Sequence, residues 1–206
     1  MENNLLYQFD LEKGQEIIGV DEAGRGPLAG NVVAAAVKLK RYSEELQEIN
    51  DSKKLTEKKR EKLFDIIMEN FEVGIGIASV QEIDELNILN ATFLAMRRAI
   101  EELGKKINTD VLVLVDGNFK IREYNGKQEP VIKGDAKSLS IAAASIIAKV
   151  TRDRQLVEEG KKYPEYHFEK HKGYGTKAHR EAILQCGVTP IHRKTFLTKI
   201  LGENAK

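Results

Sequence analysis

Four acidic residues stand beside apolar stretches of the chain. Asp21 and Glu22 follow the run at 17–20, Asp116 follows a run of five apolar residues, and Asp135 precedes a long segment rich in Ala and Ile. Because α/β sheets form their sites at the carboxyl ends of strands, we expect these carboxylates at one edge of a sheet. Like charges gathered there repel one another, so the group needs a compensating partner.

Each of these residues also has an ordinary structural explanation. Asp116 and Gly117 make a good turn pair, Asp135 can cap the helix that follows it, and Glu22 can lie in solvent. Asp21 is harder to explain, since a carboxylate behind apolar residues costs several kcal/mol unless it is compensated. For any single residue the ordinary explanation is favoured, whereas the four together indicate a bound divalent cation.

The type of ligand selects the metal. No cysteine and no closely spaced histidine pair accompanies the four carboxylates, so Mg²⁺ or Mn²⁺ is favoured over zinc. Two such ions about 4 Å apart promote in-line attack on a phosphodiester, one by activating water and one by stabilising the leaving oxygen. The sequence therefore favours two divalent ions acting on a phosphodiester.

The elements that position these residues alternate between strands and helices. Apolar runs and alternation predict strands at 16–22, 32–39, 72–79, 110–116 and 130–132. Helical spacing predicts helices at 56–69, 90–103 and 138–153, and a last helix or two at 176–186 and 194–201, whereas 160–175 shows no clear period. A short loop joins the first two strands, so we expect an α/β fold with a mixed sheet.

The chain shows no internal division into domains. We expect one domain over residues 1–206, in which residues from about 160 to 206 form a helical cap on the sheet.

Side chains of successive strand residues point to opposite faces, so Asp21 and Glu22 can converge only if the first strand ends there. The glycine-rich loop that follows makes such an end reasonable.

Composition describes a globular protein of the cytoplasm. The 206 residues are 41% hydrophobic and 32% charged, and the one cysteine, Cys186, excludes a disulfide framework and a cysteine-rich zinc module. The first residues lack the pattern of a signal peptide. The longest uncharged apolar run, at 138–148, is shorter than the roughly 18 residues of a membrane span. We expect a monomer that does not enter membranes.

Charge is distributed unevenly along the chain. Residues 1–118 hold 15 Lys and Arg against 22 Asp and Glu, a net −7, whereas residues 119–206 carry a net +8. All four histidines and four of the six tyrosines lie from residue 124 onward. Such a basic segment with aromatic residues suits a nucleic-acid surface, although charge alone favours an ordinary solvated face.

Several blocks of the sequence resemble one family. They are GVDEAGRGPLAG at 19–30, NDSKKL at 50–55, VDG at 115–117, KGDAKS at 133–138, AAASIIAKVTRDR at 142–154, HKGYGT at 171–176 and PIHR at 190–193. In this order they are similar to bacterial ribonuclease HII, a type 2 ribonuclease H, from about residue 15 to 200. One departure is Asn31, where the family commonly has proline; it touches none of the proposed ligands.

The resemblance implies a ribonuclease H-like fold, with a central mixed sheet, flanking helices and a C-terminal helical region. It implies an endonuclease that cuts the RNA strand of RNA–DNA hybrids and incises beside single ribonucleotides in duplex DNA. The products would carry 3′-hydroxyl and 5′-phosphate ends. The catalytic and metal-binding residues carried over are Asp21, Glu22, Asp116 and Asp135.

The resemblance also implies how substrate is recognised. Gly24, Arg25 and Gly26 would contact the ribose 2′-hydroxyl, the group that distinguishes RNA from DNA. Tyr174 would pack on the neighbouring deoxyribose. Ser52, Lys53 and Lys54 look like a phosphate-binding group ahead of a helix, although the bare sequence favours a solvated turn.

Two other functions fit parts of this pattern. A DNA nuclease or resolvase could use the same fold, and a non-catalytic module could bind nucleic acid through the basic segment. The block at 24–26 argues against the first, and clustered carboxylates facing phosphates argue against the second. His171, His179 and His192 are weak candidates for metal binding or acid catalysis, and we assign them no role.

Overall fold

Five strands form one mixed sheet in the computed structural model, which describes residues 4–14 and 16–202. The strands are β1 (Ile17–Ala23), β2 (Val32–Leu39), β3 (Phe71–Ala78), β4 (Leu112–Asp116) and β5 (Gln128–Val131). Their spatial order is β3-β2-β1-β4-β5. β2 pairs antiparallel with both β1 and β3, whereas β4 pairs parallel with β1 and β5. The mixed sheet expected from the short first connection is confirmed.

Helices cover both faces of this sheet. Those before and between the strands are α1 (Leu5–Lys13), α2 (Glu57–Asn70), α3 (Val80–Leu86) and α4 (Ile88–Gly104). Those after the sheet are α5 (Leu139–Lys162), α6 (Phe168–His171), α7 (Lys177–Cys186) and α8 (Thr198–Leu201). Short 3₁₀ turns lie at 44–48, 52–54, 134–136, 164–166 and 194–196. None of the helices within 4–14 and 16–202 combines the length and apolarity needed to cross a bilayer.

Two helices approach the sheet closely, and glycines permit it. A Cβ on Gly76 of β3 would lie 2.0 Å from the Ala95 carbonyl oxygen of α4. A Cβ on Gly19 of β1 would lie 2.3 Å from the Ser140 carbonyl carbon of α5. One apolar core therefore lies between the sheet and α4, around Phe93, and a second lies between the sheet and α5. This packing fixes α5 directly against the strand that carries Asp21.

The helix α5 begins just after the turn that holds Asp135. The Ser138 hydroxyl accepts a hydrogen bond from the Ile141 N–H and so caps the first turn. The first ten residues of the helix are all buried, as expected of its Ala- and Ile-rich sequence. The helix then continues to Lys162, beyond the predicted end at 153. Its later turns bury only a narrow stripe that includes Leu156 and Gly160, so the sequence shows little apolar pattern there.

Three helices, α1, α3 and α6, were not predicted, and one prediction was too long. The four-residue α6 lies within 160–175, where the sequence shows no clear period. In α1 the apolar residues Leu5 and Leu11 are 76% and 49% exposed, so the helix has no clear apolar face to reveal it. The capped segment α3 is only seven residues long. The expected helix within 194–201 is a 3₁₀ turn followed by the four-residue α8.

The C-terminal region packs through its own apolar cluster. Tyr166, Phe168, Ile183 and Leu197 are buried together, and the cluster is completed by Ala29, Ala182 and Leu156. These contacts join the last helices to the loop between β1 and β2 and to the end of α5. A C-terminal helical region is thus present; its status as a cap within a single domain over 1–206 stays a prediction.

Candidate active site

The carboxyl ends of β1 and β4 lie side by side. Because Val20 is in register with Val115 in the parallel pair, Asp21 and Asp116 occupy adjacent positions. Asp116 is also in register with Val131 of β5, which leads into the 3₁₀ turn that contains Asp135. The topology therefore brings the predicted acidic residues from three separate segments to one edge of the sheet.

The expectation that β1 must end for Asp21 and Glu22 to converge is wrong. The strand continues to Ala23, and Asp21 and Glu22 pair in register with Ala35 and Ala34 of β2. The pairing with β4, however, reaches only Val20, so the other edge of β1 is open beyond that point. Both carboxylates consequently border the same cavity of about 190 Å³.

Burial and repulsion make these carboxylates hard to ionise. Asp21 is only 3% exposed, and burial, followed by the charges of Glu22 and Asp116, raises its pKa well above the usual range. Burial likewise raises the pKa of Glu22, although Arg25, with Nη1 at 3.6 Å from Oε1, offsets part of this. For Asp116, burial and then the charge of Asp135 raise the pKa. These carboxylates therefore have too little positive charge nearby to balance their own.

Some protein groups already stabilise the negative charge. The Glu22 N–H donates to Asp21 Oδ1 at 2.7 Å, and the Gly134 N–H donates to Asp116 Oδ1 at 2.7 Å. Lys53 Nζ lies 3.5 Å from Asp135 Oδ2. Both N–H groups lower the pKa of the carboxyl that they contact, but the net shift of Asp21 and Asp116 is still upward.

The donor set fits a hard divalent cation. Across the part of the chain that the structure describes, no three Asp, Glu, His or Cys side chains already stand close enough to hold an ion. Asp21, Glu22 and Asp116 share one cavity, offer only oxygen donors and have raised pKa values. Oxygen donors with unbalanced negative charge are what Mg²⁺ and Mn²⁺ bind.

The predicted substrate-binding residues border the same cavity. Gly24, Arg25, Gly26, Ser52, Lys53 and Tyr174 all line it together with Asp21, Glu22 and Asp116. Gly24 has φ of +98°, a conformation that favours glycine. Asp135 does not line the cavity but reaches it through Lys53. The structure thus brings the predicted residues together, while their individual roles stay predictions.

Sequence reasoning missed two residues of α5 that line this cavity. Ser145 shares a hydrogen bond with Ser52, Oγ to Oγ at 2.8 Å, and hydrogen bonding from Ser145 lowers the pKa of Asp21. Lys149 Nζ donates to Asp153 at 2.6 Å, and burial lowers the pKa of this lysine. The available signal was spacing, because the polar residues 145, 149 and 152 recur at intervals of four and three and so share one face of the helix.

Two buried arginines, also missed, hold the loop between β1 and β2. Arg193 is fully buried, and its guanidinium donates to five backbone carbonyls, those of Gly24, Arg25, Pro27, Gly30 and Asn31. Arg152 is 1% exposed and donates to the carbonyls of Ala29, Asn31 and Lys172. Burial lowers the pKa of both, that of Arg193 to about 9. We call this pair the arginine brace.

Comparison with known proteins identifies the family. A family model described as Ribonuclease HII matches residues 18–199. The chain belongs to the ribonuclease HII family. It is 68% identical over 201 residues to the ribonuclease HII of Fusobacterium nucleatum, covering 97% of this chain and 93% of that one. It is 52% identical over 200 residues to the ribonuclease HII of Clostridioides difficile, covering 96% and 76%.

Solved structures agree with this assignment. The ribonuclease H2 of Pyrococcus horikoshii matches with a TM-score of 0.70 at 31% identity, covering 90% of this chain and 97% of that one. The ribonuclease HII in the PCNA complex from Archaeoglobus fulgidus matches with a TM-score of 0.72 at 26% identity, covering 88% and 94%. Bst-RNase HIII, in a structure with Mn²⁺, has a TM-score of 0.66 at 18% identity, covers 84% and 63%, and supports the fold alone.

Membership in the ribonuclease HII family confirms the fold and the main functional prediction. The ribonuclease H-like arrangement of a mixed sheet with flanking helices and a C-terminal helical region is present. Ribonuclease HII is a metal-dependent hydrolase that cleaves the RNA of RNA–DNA hybrids. A DNA nuclease or resolvase and a non-catalytic binding module do not fit this family.

Proposed function

We propose that the cavity beside Asp21 cuts RNA–DNA hybrids and also incises beside single ribonucleotides embedded in duplex DNA. The products would be 3′-hydroxyl and 5′-phosphate ends. One observation carries the proposal: the buried carboxylates share a cavity of about 190 Å³ with the Gly24–Gly26 loop and with Tyr174. Groups suited to cleaving a phosphodiester therefore adjoin groups suited to telling a ribose from a deoxyribose.

Asp21, Glu22, Asp116 and Asp135 would hold two divalent cations, Mg²⁺ or Mn²⁺. When bound, such ions supply an activated water and stabilise the leaving oxygen. Asp21 is the residue expected to be shared, because it is the most buried of the four and its charge interacts with those of Glu22 and Asp116. The unfavourable ionisation of these carboxyl groups supports the proposal, since a cation relieves it.

The loop at 24–26 would read the ribose. Its Gly24 and Arg25 carbonyls accept hydrogen bonds from Arg193, so its N–H groups are the natural donors to a 2′-hydroxyl. Arg25 stays half-exposed beside Glu22, at the edge of the cavity. A buried arginine fixes the backbone of this loop, so its N–H groups stay at a set distance from the 2′ position of the sugar. A flexible loop would adjust to either sugar and would discriminate less.

Tyr174 would contact the deoxyribose next to the ribonucleotide. The Tyr174 residue is 44% exposed, and Gly26 lies opposite its ring, where an added Cβ would be 3.9 Å from Cε1. Lys149 Nζ and the Arg152 guanidinium each lie 5.9 Å from the ring centroid. Two cations near the ring restrict its movement. A fixed, exposed ring beside the ribose-reading loop suits packing against a neighbouring sugar.

Ser52 and Lys53 would contact a phosphate of the substrate. Ser52 is 3% exposed and hydrogen-bonded to Ser145, while the Lys53 side chain is 77% exposed. The net +8 of residues 119–206 would add long-range attraction for the duplex. We further propose that the protein acts as a monomer in the cytoplasm; its protein partners stay open.

Cleavage of defined duplexes tests this function. Three substrates are compared: duplex DNA with one ribonucleotide, a continuous RNA–DNA hybrid, and an all-DNA duplex. Each is incubated with Mg²⁺, with Mn²⁺ or with chelator, and product ends are mapped. We expect ion-dependent incision of the first two, with 3′-hydroxyl and 5′-phosphate ends, and none of the third. Cutting of all-DNA duplex, or binding without cleavage in both ions, would contradict the proposal.

A further inference from the structure

Three of the four histidines lie together in the C-terminal region, beside the active site but outside it. His179 and His192 are buried, at 0% and 3% exposure, and their Nε2 atoms are 3.1 Å apart. The His171 ring stacks on that of His179, with centroids 4.4 Å apart. Phe168 packs edge-on against His179 and tilted against His192. The proposed function assigns these rings no role.

The hydrogen bonds of His192 and His179 form a series in which each group donates to the next. The Thr189 N–H donates to His192 Nδ1 at 2.9 Å, so that nitrogen carries no proton and the neutral ring holds its proton on Nε2. His179 Nδ1 lies 2.9 Å from the Tyr174 carbonyl oxygen, which can only accept, so His179 Nδ1 carries the proton. His192 Nε2–H therefore donates to the bare Nε2 of His179. We call this series, from Thr189 through His192 and His179 to Tyr174, the histidine chain.

The histidine chain requires both rings to be neutral. A proton added to His192 Nδ1 would face the Thr189 N–H, and a proton added to His179 Nε2 would face the donor of His192. Burial lowers the pKa of both His179 and His192 to about 4. Both rings are accordingly neutral at pH 7, where every hydrogen bond of the histidine chain can form.

The far end of the histidine chain is the backbone of Tyr174. This residue follows Lys172 and Gly173, whose φ angles are +49° and +81°. A lysine in the left-handed region is strained and persists only where its surroundings impose it. The Tyr174 N–H donates to the His171 carbonyl, and the Tyr174 carbonyl accepts from the Thr176 N–H and from His179. The histidine chain thus holds a strained segment at the residue that carries the exposed ring.

We propose that His179 and His192 are positioning residues that set the place of the Tyr174 ring for recognition of the sugar next to a ribonucleotide. This inference rests on the proposed role of Tyr174. Their effect falls on substrate choice. A duplex with a lone ribonucleotide can be cleaved in only one position on the enzyme. Displacement of the Tyr174 ring therefore weakens binding in that position. A continuous hybrid offers many registers and tolerates the displacement.

The protonation pattern is tested first on the unaltered protein. Long-range ¹H–¹⁵N spectra at pH 7 report which ring nitrogen of each histidine carries the proton. We expect His179 protonated on Nδ1, His192 protonated on Nε2, and neither ring titrating above about pH 5. The opposite tautomer at either ring, or ordinary titration near pH 6.5, would overturn the proposal because the histidine chain could not exist.

Variants then test the effect on substrate choice. His179→Gln keeps a partner for His192 but loses the donor to the Tyr174 carbonyl. We expect its kcat/KM to fall about three- to tenfold on duplex DNA with one ribonucleotide and less than about twofold on a continuous hybrid, as one broken hydrogen bond predicts. His179→Asn can place its amide N–H near the Nδ1 position, and we expect it to restore the ratio of the two substrates.

Phe168→Leu is the matched control, since it loosens the packing around both rings but leaves every hydrogen bond of the histidine chain. We expect it to lower Tm while the substrate ratio stays as in the wild type. If Phe168→Leu changed the ratio as His179→Gln does, stability alone would explain the effect and the proposal would be overturned. An unchanged ratio in folded His179→Gln would overturn it as well.

Failure of the two proposals can be told apart by Tyr174→Ala measured on the same two substrates. If Tyr174→Ala lowers the single-ribonucleotide activity selectively while His179→Gln does not, the histidine chain has no positioning role and the proposed function stands. If Tyr174→Ala lowers both substrates equally, the role of Tyr174 in the proposed function fails, and the positioning inference fails with it.

Discussion

The sheet edge that holds the candidate active site and the region beside it differ in how their buried charges are compensated. At the edge, Asp21 and Asp116 are buried near like charges, and their pKa values are raised. Next to it, the arginine brace of Arg152 and Arg193 is also buried, but every contact that it makes with the loop is a hydrogen bond to a backbone carbonyl. The carboxylates lack enough positive charge nearby to balance them, whereas the guanidinium groups of the arginine brace have hydrogen-bond acceptors around them.

In the proposed function, this difference separates the carboxylates that would bind metal from the residues that support the loop and Tyr174. The carboxylates gain most when an external cation arrives, so their repulsion in the free protein favours ion binding. The arginine brace and the histidine chain have their partners already, so they fix the Gly24–Gly26 loop and Tyr174 before substrate binds. Substitutions in the support should therefore reduce stability, whereas a substitution in the carboxylates should increase it.

The largest effect on stability is expected from Arg193→Met. The change removes the Arg193 donor from five carbonyls; that of Asn31 still accepts from Arg152, whereas the buried ones of Gly24 and Gly30 lose this donor. We expect a loss of about 3–5 kcal/mol in the free energy of unfolding, because buried acceptors without partners lose their full solvation. Denaturant unfolding measures this loss.

Arg193→Lys is the control for that prediction. Lysine keeps the charge but has one ammonium in place of the planar fork that reaches several carbonyls at once. We expect an intermediate stability. A lysine variant as stable as the wild type would show that the fan of hydrogen bonds is not what holds the loop.

Tyr174→Ala should have the next largest effect, on recognition. Removal of an aromatic ring that packs on nucleic acid costs roughly 1–3 kcal/mol. We expect that loss in kcat/KM on a single ribonucleotide in DNA, and a smaller loss on a continuous hybrid. Tyr174→Phe keeps the ring and should be much milder on both. Equal damage from Phe and Ala would mean that the hydroxyl, and not packing, is what matters.

Asp21→Asn should stabilise the protein in the absence of metal. The pKa of Asp21 is higher in the folded than in the unfolded state, so the folded state binds more protons once the pH exceeds the unfolded pKa, and stability falls as pH rises. Asn removes this penalty, and we expect Tm at pH 7 to rise by about 2–4 °C, the shift that 1 kcal/mol produces at this size.

That gain should shrink as the pH falls from 7 toward the usual range of an aspartate and vanish below that range, because Asp21 is then protonated in both states. Thermal unfolding of both proteins from pH 7 to pH 3, in chelator, measures the difference. A destabilised Asp21→Asn at pH 7 would contradict the account of repulsion at the edge. Added Mn²⁺ should stabilise the wild type and not the variant.

Lys53→Ala should have the smallest effect. Its exposed ammonium is 3.5 Å from Asp135, and such a partly exposed pair contributes little to stability. If Lys53 contacts one phosphate, binding to a duplex should weaken modestly, and the slope of log affinity against log salt should become shallower by about 0.9. An unchanged slope would remove Lys53 from the phosphate contacts.

The sequence revealed the residues whose local setting is unusual. Asp21 and Asp116 could be found because each directly follows an apolar run of the sequence, and β2 was predicted with its observed bounds of Val32–Leu39. The short connection to β2 gave the mixed sheet. These predictions need only neighbours in the chain.

What the sequence could not reveal depends on contacts between distant segments. Arg193 reaches the loop at 24–31 across more than 160 residues, and the direction of the histidine chain depends on the carbonyl and N–H groups that meet the rings. The continuation of β1 to Ala23 is also set from outside, because β2 pairs with it while β4 does not. Such facts are properties of the packed molecule.

Single-turnover cleavage by Asp21→Asn tests the central claim most directly. Asn keeps the shape and an acceptor oxygen but not the charge needed to hold divalent ions. With saturating Mg²⁺ or Mn²⁺ and duplex DNA carrying one ribonucleotide, we predict a cleavage rate lower by orders of magnitude, from a protein whose circular dichroism and Tm show it to be folded. Near-normal cleavage by that folded variant would contradict the assignment of Asp21 and its neighbours as the metal-binding catalytic site.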